Sequence, residues 1–204
     1  FTAGESISNA PGKTAFNPLF IYSQTGLGKT HLCHAIGLET KKYHPNLVVL
    51  YVNAEQFVQQ FLSSCNPQKN TRRDFIHFYQ MIDVLIIDDI QFLSGKKAAT
   101  QEAFFHIFNH LQQSGKQLIF ASDKAPVELK DMEPRLLSRF KWGLSADMQA
   151  PDIETRIRIL KRKAFNDGIE LPEDVIDYVA SRVKSNVREM EGLFISLIAQ
   201  SSLN

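Results

Sequence analysis

Nothing in the chain restricts its fold as tightly as the segment Ser23-Gln24-Thr25-Gly26-Leu27-Gly28-Lys29-Thr30. It follows an apolar run, Leu19-Phe20-Ile21-Tyr22, and leads into His31-Leu32-Cys33-His34-Ala35-Ile36-Gly37, where Leu32, Ala35 and Ile36 recur at helical spacing. A strand, a glycine-bearing loop, Gly-Lys-Thr and a helix, in that order, are the context a phosphate-binding P-loop needs. In such a loop the backbone N–H groups and the helix N-terminus together form an anion site. Lys29 is then the residue for the β- and γ-phosphates, and the Thr30 hydroxyl a ligand for Mg²⁺. The usual first glycine of the motif is replaced by Ser23. Glycine is favoured there because the chain turns sharply, so a small serine predicts a modest cost and not a lost site.

A second motif answers the first. Val84-Leu85-Ile86-Ile87-Asp88-Asp89 reads as a buried strand tipped by two carboxylates, the form of a Walker B element. Carboxylates are tolerated at the tip because ligands of α/β sheets bind in the crevice beyond the strand C-termini. In P-loop proteins the first acid holds Mg²⁺, and a neighbouring acid orients or deprotonates an attacking water. These are the roles expected of Asp88 and Asp89. Alone, an Asp pair after a strand would more ordinarily be a helix cap or a turn; the P-loop upstream favours the chemical reading.

The remaining segments alternate in α/β fashion. Residues 1–16 lack periodicity and are punctuated by Gly4, Pro11 and Gly12, which predicts an irregular lead-in. Leu47–Val52 reads as a strand buried on both faces. A helix follows with Phe57, Val58, Phe61 and Leu62 on one side, then a polar break over 63–70 containing Pro67. Thr71 is placed to cap a helix carrying Phe75, Phe78 and Tyr79. After the exposed turn Ser94-Gly95-Lys96-Lys97, a long helix from Ala99 carries Phe104, Phe105, Phe108 and Leu111. His106 and His110 share one side of that helix, but no third metal ligand accompanies them, so a solvated face is expected. Gln117–Asp123 is another strand with a polar tip, and Ser122-Asp123 reads equally as a ligand-facing pair or a cap. Arg135 and Arg139 lie one turn apart on a short helix. Arginine suits bidentate phosphate contact, although such a pair is ordinarily a solvated basic face. Beyond Gln149-Ala150-Pro151-Asp152 the strand signals stop, and three amphipathic helices follow, with Arg188 at the start of the third.

The bulk numbers set limits. The chain has 204 residues, enough for one medium domain or a core with a small appendage. Its 23 Lys and Arg against 22 Asp and Glu do not advertise a nucleic-acid binder, so any such binding must come from local placement of charge. Cys33 and Cys65 lack metal-ligand spacing and read as reduced thiols, and no run is long enough to cross a bilayer, so a cytoplasmic location is expected. The chain begins at Phe1 and carries no visible leader, as a fragment or processed piece would.

The order of these motifs resembles the plan of AAA+ ATPases: P-loop, Walker B, a polar strand tip called sensor 1, an Arg pair, and a helical lid with an arginine near its last helix. The wording resembles, more narrowly, the bacterial DnaA replication initiators. The stretches that carry the likeness are Phe16–Tyr22, Gly26–Leu32, Asp88-Asp89-Ile90-Gln91-Phe92, Phe104-Phe105-His106, Arg139–Leu144 and 185–192. The resemblance implies a three-layer αβα core with a parallel sheet over 1–148 and a three-helix lid over 149–204. It implies a slow ATPase that binds ATP or ADP with Mg²⁺, assembles head to tail on origin DNA, engages a single strand, and is switched off by hydrolysis.

Carried over by position, Gly26, Leu27, Gly28, Lys29, Thr30 and His31 surround the nucleotide, and Thr30 and Asp88 hold the metal. Asp89 and Asp123 act at the water and at sensor 1. Arg135 matches the finger that reads ATP on a neighbour, and Arg188 matches sensor 2. Leu62, Lys96 and Arg139 match DNA-linked positions. The departures are Ser23, an Ala98 where the family usually has a basic residue, a slightly longer 63–70 segment, and a lead-in too short for the helix that helps close the family's adenine pocket. The implied partners are further copies of the chain and single-stranded and origin DNA. A replicative helicase or regulators remain open as further partners. Rival readings on the same residues are a regulator built on this core, a helicase loader, and a metabolic P-loop enzyme.

Overall fold

The computed structural model describes residues 2–65, 71–184 and 186–202. They fall into two compact units, one of Phe1–Ser23 with Lys29–Asp147, the other of Gln24–Gly28 with Met148–Asn204.

The first unit is built on five strands, β1 (Leu19–Tyr22), β2 (Val49–Asn53), β3 (Val84–Asp88), β4 (Gln117–Ser122) and β5 (Leu144–Asp147). They lie in the order β2-β3-β4-β1-β5, and every neighbouring pair is parallel. The register sets Asn53 beside Asp88 and Tyr22 beside Ser122, so the C-terminal tips of β2, β3, β4 and β1 form one polar edge. β3 and β4 are buried throughout, as continuous apolar runs in a parallel sheet should be. β2 differs from the expectation: only Val52 is fully buried, and Val48 is exposed. It is an edge strand, so its apolar run is covered less completely.

Side chains alternate across the sheet. Phe20, Leu85, Ile87, Leu118 and Phe120 point to one face, where they meet α3 (Ala54–Ser64), α4 (Arg72–Gln80), α5 (Ala98–Gln113) and α6 (Pro134–Phe140). That layer is largely aromatic. Phe104 lies 5.6 Å from Phe57 and 5.9 Å from Phe120 between ring centres, and Phe120 lies 5.1 Å from Phe140. Of the aromatic residues on α4, Phe75 and Tyr79 carry the helix's contact, while Phe78 is exposed. Thr71 precedes α4 without a side-chain capping bond, and 66–70, where the polar break with Pro67 was expected, lies outside the described residues.

The other face receives α2 (Lys29–Tyr43), whose buried residues are Lys29, Cys33, Ile36, Gly37 and Thr40. Ala35, expected inward, is exposed. The absence of a side chain at Gly37 lets Ile86 approach, with its Cδ1 atom 3.0 Å from where a Cβ would stand. α1 (Thr2–Asn9) then packs on α2. This helix corrects the reading of an irregular lead-in. It packs through small residues: Gly4 sits against Ile36, and the Ser8 hydroxyl donates to Gly4 O at 3.0 Å and Ile36 O at 3.3 Å. With Ile7 the one large apolar residue buried between Gly4 and Ser8, the face leaves no hydrophobic period to read.

The second unit holds α7 (Ile153–Asn166), α8 (Glu173–Arg182) and α9 (Val187–Ser202) around Leu160, Ile176, Val179, Met190 and Phe194. Asp152 caps α7 by accepting from the Thr155 N–H at 2.8 Å, and hydrogen bonding by Thr155, chiefly from its side chain and then from this N–H, holds the carboxyl below its ordinary range. Arg156 hides in a run that reads as basic surface. It is 8 % exposed and donates to Ala180 O at 2.8 Å and Pro151 O at 2.7 Å, fastening α7 to α8.

The aromatic layer is the main apolar support of the sheet, so Phe104→Ala should cost the first unit about 3–5 kcal/mol. Urea unfolding followed by circular dichroism measures it. A loss below about 1 kcal/mol would contradict the central place given to this ring.

Candidate functional site

The loop after β1 turns on two glycines. Gly26 has φ +84° and Gly28 φ +99°, a region that side chains rarely enter. At Gly26 an added Cβ would also lie 2.0 Å from Asn186 Oδ1. Ser23, which replaces the usual first glycine, is not among the described residues with positive φ, which explains why a serine is accommodated. Its backbone carbonyl and hydroxyl accept hydrogen bonds from Lys29 Nζ at 2.9 and 3.3 Å. Lys29 is 7 % exposed, so its ammonium is held by these oxygens in a shielded position. Leu27 is buried, and His31, two residues into α2, is exposed.

Asp88 ends the fully buried β3 and is itself 2 % exposed. Three groups satisfy its carboxylate. Thr30 Oγ1 donates to Oδ2 at 2.6 Å, Tyr51 Oη donates to the same oxygen at 2.9 Å, and the Asp89 N–H donates to Oδ1 at 2.9 Å. Burial, and then the bond to Asp88, push the Tyr51 phenol well above its ordinary value. Burial, followed by the Asp88 charge, does the same to the Cys33 thiol on the adjoining turn of α2. A thiol held neutral in this way is a packing residue.

Asp89 adopts the left-handed conformation, φ 53° and ψ 45°, which turns its carboxylate out of the strand direction. Two side-chain amides hold it there. Asn53 Nδ2 donates to Oδ2 at 3.0 Å, and Gln91 Nε2 donates to Oδ1 at 3.1 Å. Asn53 also caps α3, accepting from the Glu55 N–H at 2.8 Å. Gln91 reaches the tip of β4 as well, where its Oε1 accepts from the Asp123 N–H at 3.4 Å. Asp123 is exposed, and Ser122 beside it is buried with its hydroxyl accepting from the Lys124 N–H.

The first unit therefore gathers Lys29, Thr30, Asp88, Asp89 and Asp123 at one sheet edge, with Tyr51, Asn53 and Gln91 supporting them. The supporting three carry no distinctive spacing in the sequence. Only their positions at the end of β2 and just after the paired acids could have marked them. Elsewhere, Arg135 is exposed, pairs with Glu133 and lies 4.3 Å from the Phe105 ring centre. Arg139 lies over Trp142 at 5.3 Å. Leu62 stands 56 % exposed on α3, and Lys96 is exposed in the turn before α5. Lys97 next to it is half-buried and donates to Phe92 O at 2.5 Å. In the second unit the Val187 N–H at the start of α9 donates to Gly26 O at 3.0 Å, and the next residue, Arg188, has an exposed side chain.

A family model described as the bacterial DnaA ATPase domain matches residues 1–147. The chain belongs to the bacterial DnaA family. A chromosomal replication initiator protein DnaA from Flavobacterium psychrophilum is 63 % identical over 203 residues, covering 100 % of this chain and 42 % of that protein. The chain thus spans under half the length of this DnaA relative. The crystal structure of domain III from the Thermotoga maritima replication initiation protein DnaA superimposes with a TM-score of 0.91 at 38 % identity, covering 99 % of this chain and 82 % of that one. A replication initiator DnaA bound to AMPPCP and single-stranded DNA matches with a TM-score of 0.84 at 41 % identity, covering 97 % and 59 %. The fold is accordingly the AAA+ type of DnaA domain III, a parallel-sheet core with a helical lid. Among the described residues no helix is long and apolar enough to cross a membrane.

The Tyr51 phenol gives a pH test of the site. Its folded-state value is raised, so the folded chain holds that proton more tightly than the unfolded chain does. The resulting stability is complete below the ordinary phenol value of about 10 and is lost as pH climbs through the folded value. Tyr51→Phe should therefore flatten the alkaline limb of the stability curve, read by denaturant midpoints at several pH values. An unchanged limb would mean the phenol does not serve Asp88.

Proposed function

We propose that the chain is the ATP-dependent core of a cytoplasmic replication initiator. In this reading it binds ATP with Mg²⁺ and assembles head to tail on origin DNA. It then engages a single strand to promote melting, and is switched off when ATP is hydrolysed to ADP. The observation that carries the nucleotide part is the 2.6 Å approach of Thr30 Oγ1 to Asp88 Oδ2, which sets a P-loop hydroxyl and a strand-end carboxylate on one spot beside Lys29. These are hard oxygen donors, the set Mg²⁺ takes when it also binds phosphates, so the residues fit the ion. The relative's name as a chromosomal replication initiator, and the AMPPCP and single-stranded DNA bound to another, support extending the reading to DNA.

Thr30 and Asp88 would hold the metal, which would neutralise charge on the phosphates. Lys29 would exchange its bonds to Ser23 for phosphate oxygens. Asp89, fixed by the Asn53 and Gln91 amides, would orient the attacking water, with Asp123 beside it at sensor 1. Gly26, Leu27, Gly28 and His31 line the nucleotide in this scheme, and Arg188 acts as sensor 2. Arg135 would leave Glu133 to meet the γ-phosphate of a neighbouring copy, so that only the triphosphate satisfies both subunits and nucleotide state becomes assembly state. Leu62 supplies an apolar contact and Lys96 a phosphate contact to the single strand, with Arg139 serving interactions on origin DNA. Ala98 offers no charge, which leaves Lys96 as the basic contact of that turn.

The test is binding of a labelled single-stranded oligonucleotide with ATP, with ADP and without nucleotide, at one fixed salt concentration. Tight cooperative binding with ATP alone is expected. Arg135→Ala should keep ATP affinity and lose ATP-dependent assembly and cooperative DNA binding. DNA affinity indifferent to nucleotide, or loss of ATP binding in the variant, would contradict the scheme and favour a regulator or helicase loader on the same core.

A further inference from the structure

The aromatic face of α5 conceals one amide. Gln101 lies one turn into the helix and is 2 % exposed. Its Nε2 faces three backbone carbonyls, Leu93 O at 2.9 Å, Asp131 O at 3.0 Å and Gly95 O at 3.3 Å. Its Oε1 accepts from the Glu133 N–H at 2.8 Å. Two segments distant in sequence therefore meet on one side chain. The first, 93–97, contains Lys96. The second, 131–133, enters α6, where Glu133 pairs with Arg135.

Other features bind the same two segments. The Gly95 N–H donates to Asp131 O at 3.2 Å, and the Gln101 N–H donates to Lys97 O at 2.9 Å. Asp131 has φ 57°, the left-handed conformation that aspartate enters more readily than most side chains and that turns the chain sharply here. The Arg135 guanidinium also rests on Phe105, one turn further along the same helix. An amide has two N–H groups, so three carbonyls must share two protons. Such a set tolerates redistribution between the carbonyls but not loss of the amide, because each buried group left unpaired is costly.

We propose that Gln101 is a positioning residue that holds the Lys96 turn and the Arg135 helix in a single geometry, so that contact with a single strand and contact with a neighbouring subunit are read together. The inference rests on the roles proposed above for Lys96 and Arg135. Neither the nucleotide nor DNA touches Gln101; it acts through the backbone of both segments.

Gln101→Met preserves length and apolar volume and removes every side-chain hydrogen bond of the residue. Hydrogen exchange of the chain should quicken at Gly95, whose own acceptor is Asp131 and not Gln101, together with Glu133. The ratio of oligothymidylate affinity with ATP to that with ADP should fall about fivefold or more, with ATP affinity unchanged. Phe108→Leu, a destabilising change in the same helix away from both segments, should leave that ratio intact. In the unsubstituted chain, oligothymidylate should raise protection at Glu133 as well as at Gly95, an arm that stands even if the methionine variant does not fold. Quickening confined to Glu133, an unchanged ratio in Gln101→Met, an equal loss in Phe108→Leu, or DNA protection confined to the Lys96 turn would each overturn the proposal. If the unsubstituted chain binds DNA equally with ATP and ADP, the proposed function fails, and the exchange arm alone still decides whether Gln101 couples the two segments.

Discussion

A carboxylate at the end of a completely buried strand is the constraint on which the rest depends. Asp88 cannot be placed at 2 % exposure without donors around it, because an uncompensated buried charge is among the costliest things a fold can contain. The sheet order supplies them. β2 is the neighbour of β3, which brings Tyr51 to the Asp88 carboxylate, and α2 crosses the sheet so that its second residue, Thr30, reaches the same oxygen. The backbone turn at Asp89 supplies the third bond. Two of these donors sit on different elements, so the carboxylate specifies the approach of α2 and β2 to β3 as much as it serves chemistry.

The second acid is arranged differently. Asp89 takes its orientation from a left-handed backbone and two side-chain amides, one on the strand that leads into α3 and one just after the acid pair. Gln91 extends the arrangement to the tip of β4. Each polar tip of the sheet is thereby tied to another. A change at one acid would be felt at α3, which carries Leu62, and at the residue proposed as sensor 1. The buried amide of Gln101 on α5 repeats the device, tying two loops instead of two strand tips.

Much of this was legible in the sequence. The P-loop and the paired acids announced themselves because strand and helix flank the first and an uninterrupted apolar run precedes the second. Strands β1 to β4, and the helices between and after them, followed from apolar runs and period. What escaped was built from residues without period or with an ambiguous one. α1 buries Gly4 and Ser8 with Ile7 as its one large apolar residue, so its inner face looked like a loop. Gln101 and Arg156 are polar residues on inward faces, and a sequence reader assigns such residues to water. β2 looked fully buried because apolar content does not distinguish a central strand from an edge. The tolerance for Ser23 needed the backbone angles, since only Gly26 and Gly28 of that loop take positive φ.

The central claim is that an ATP-holding site in one copy and Arg135 of the next form a single contact. Sedimentation of two variants, Lys29→Ala and Arg135→Ala, apart and mixed in ATP, tests it directly. The first should lack bound ATP but keep its arginine, and the second should bind ATP but offer no arginine. Neither should assemble alone, and the equimolar mixture should form a pair and stop, because only one competent contact exists between them. Assembly of either variant by itself, no pairing in the mixture, or growth of the mixture beyond the pair would contradict the account.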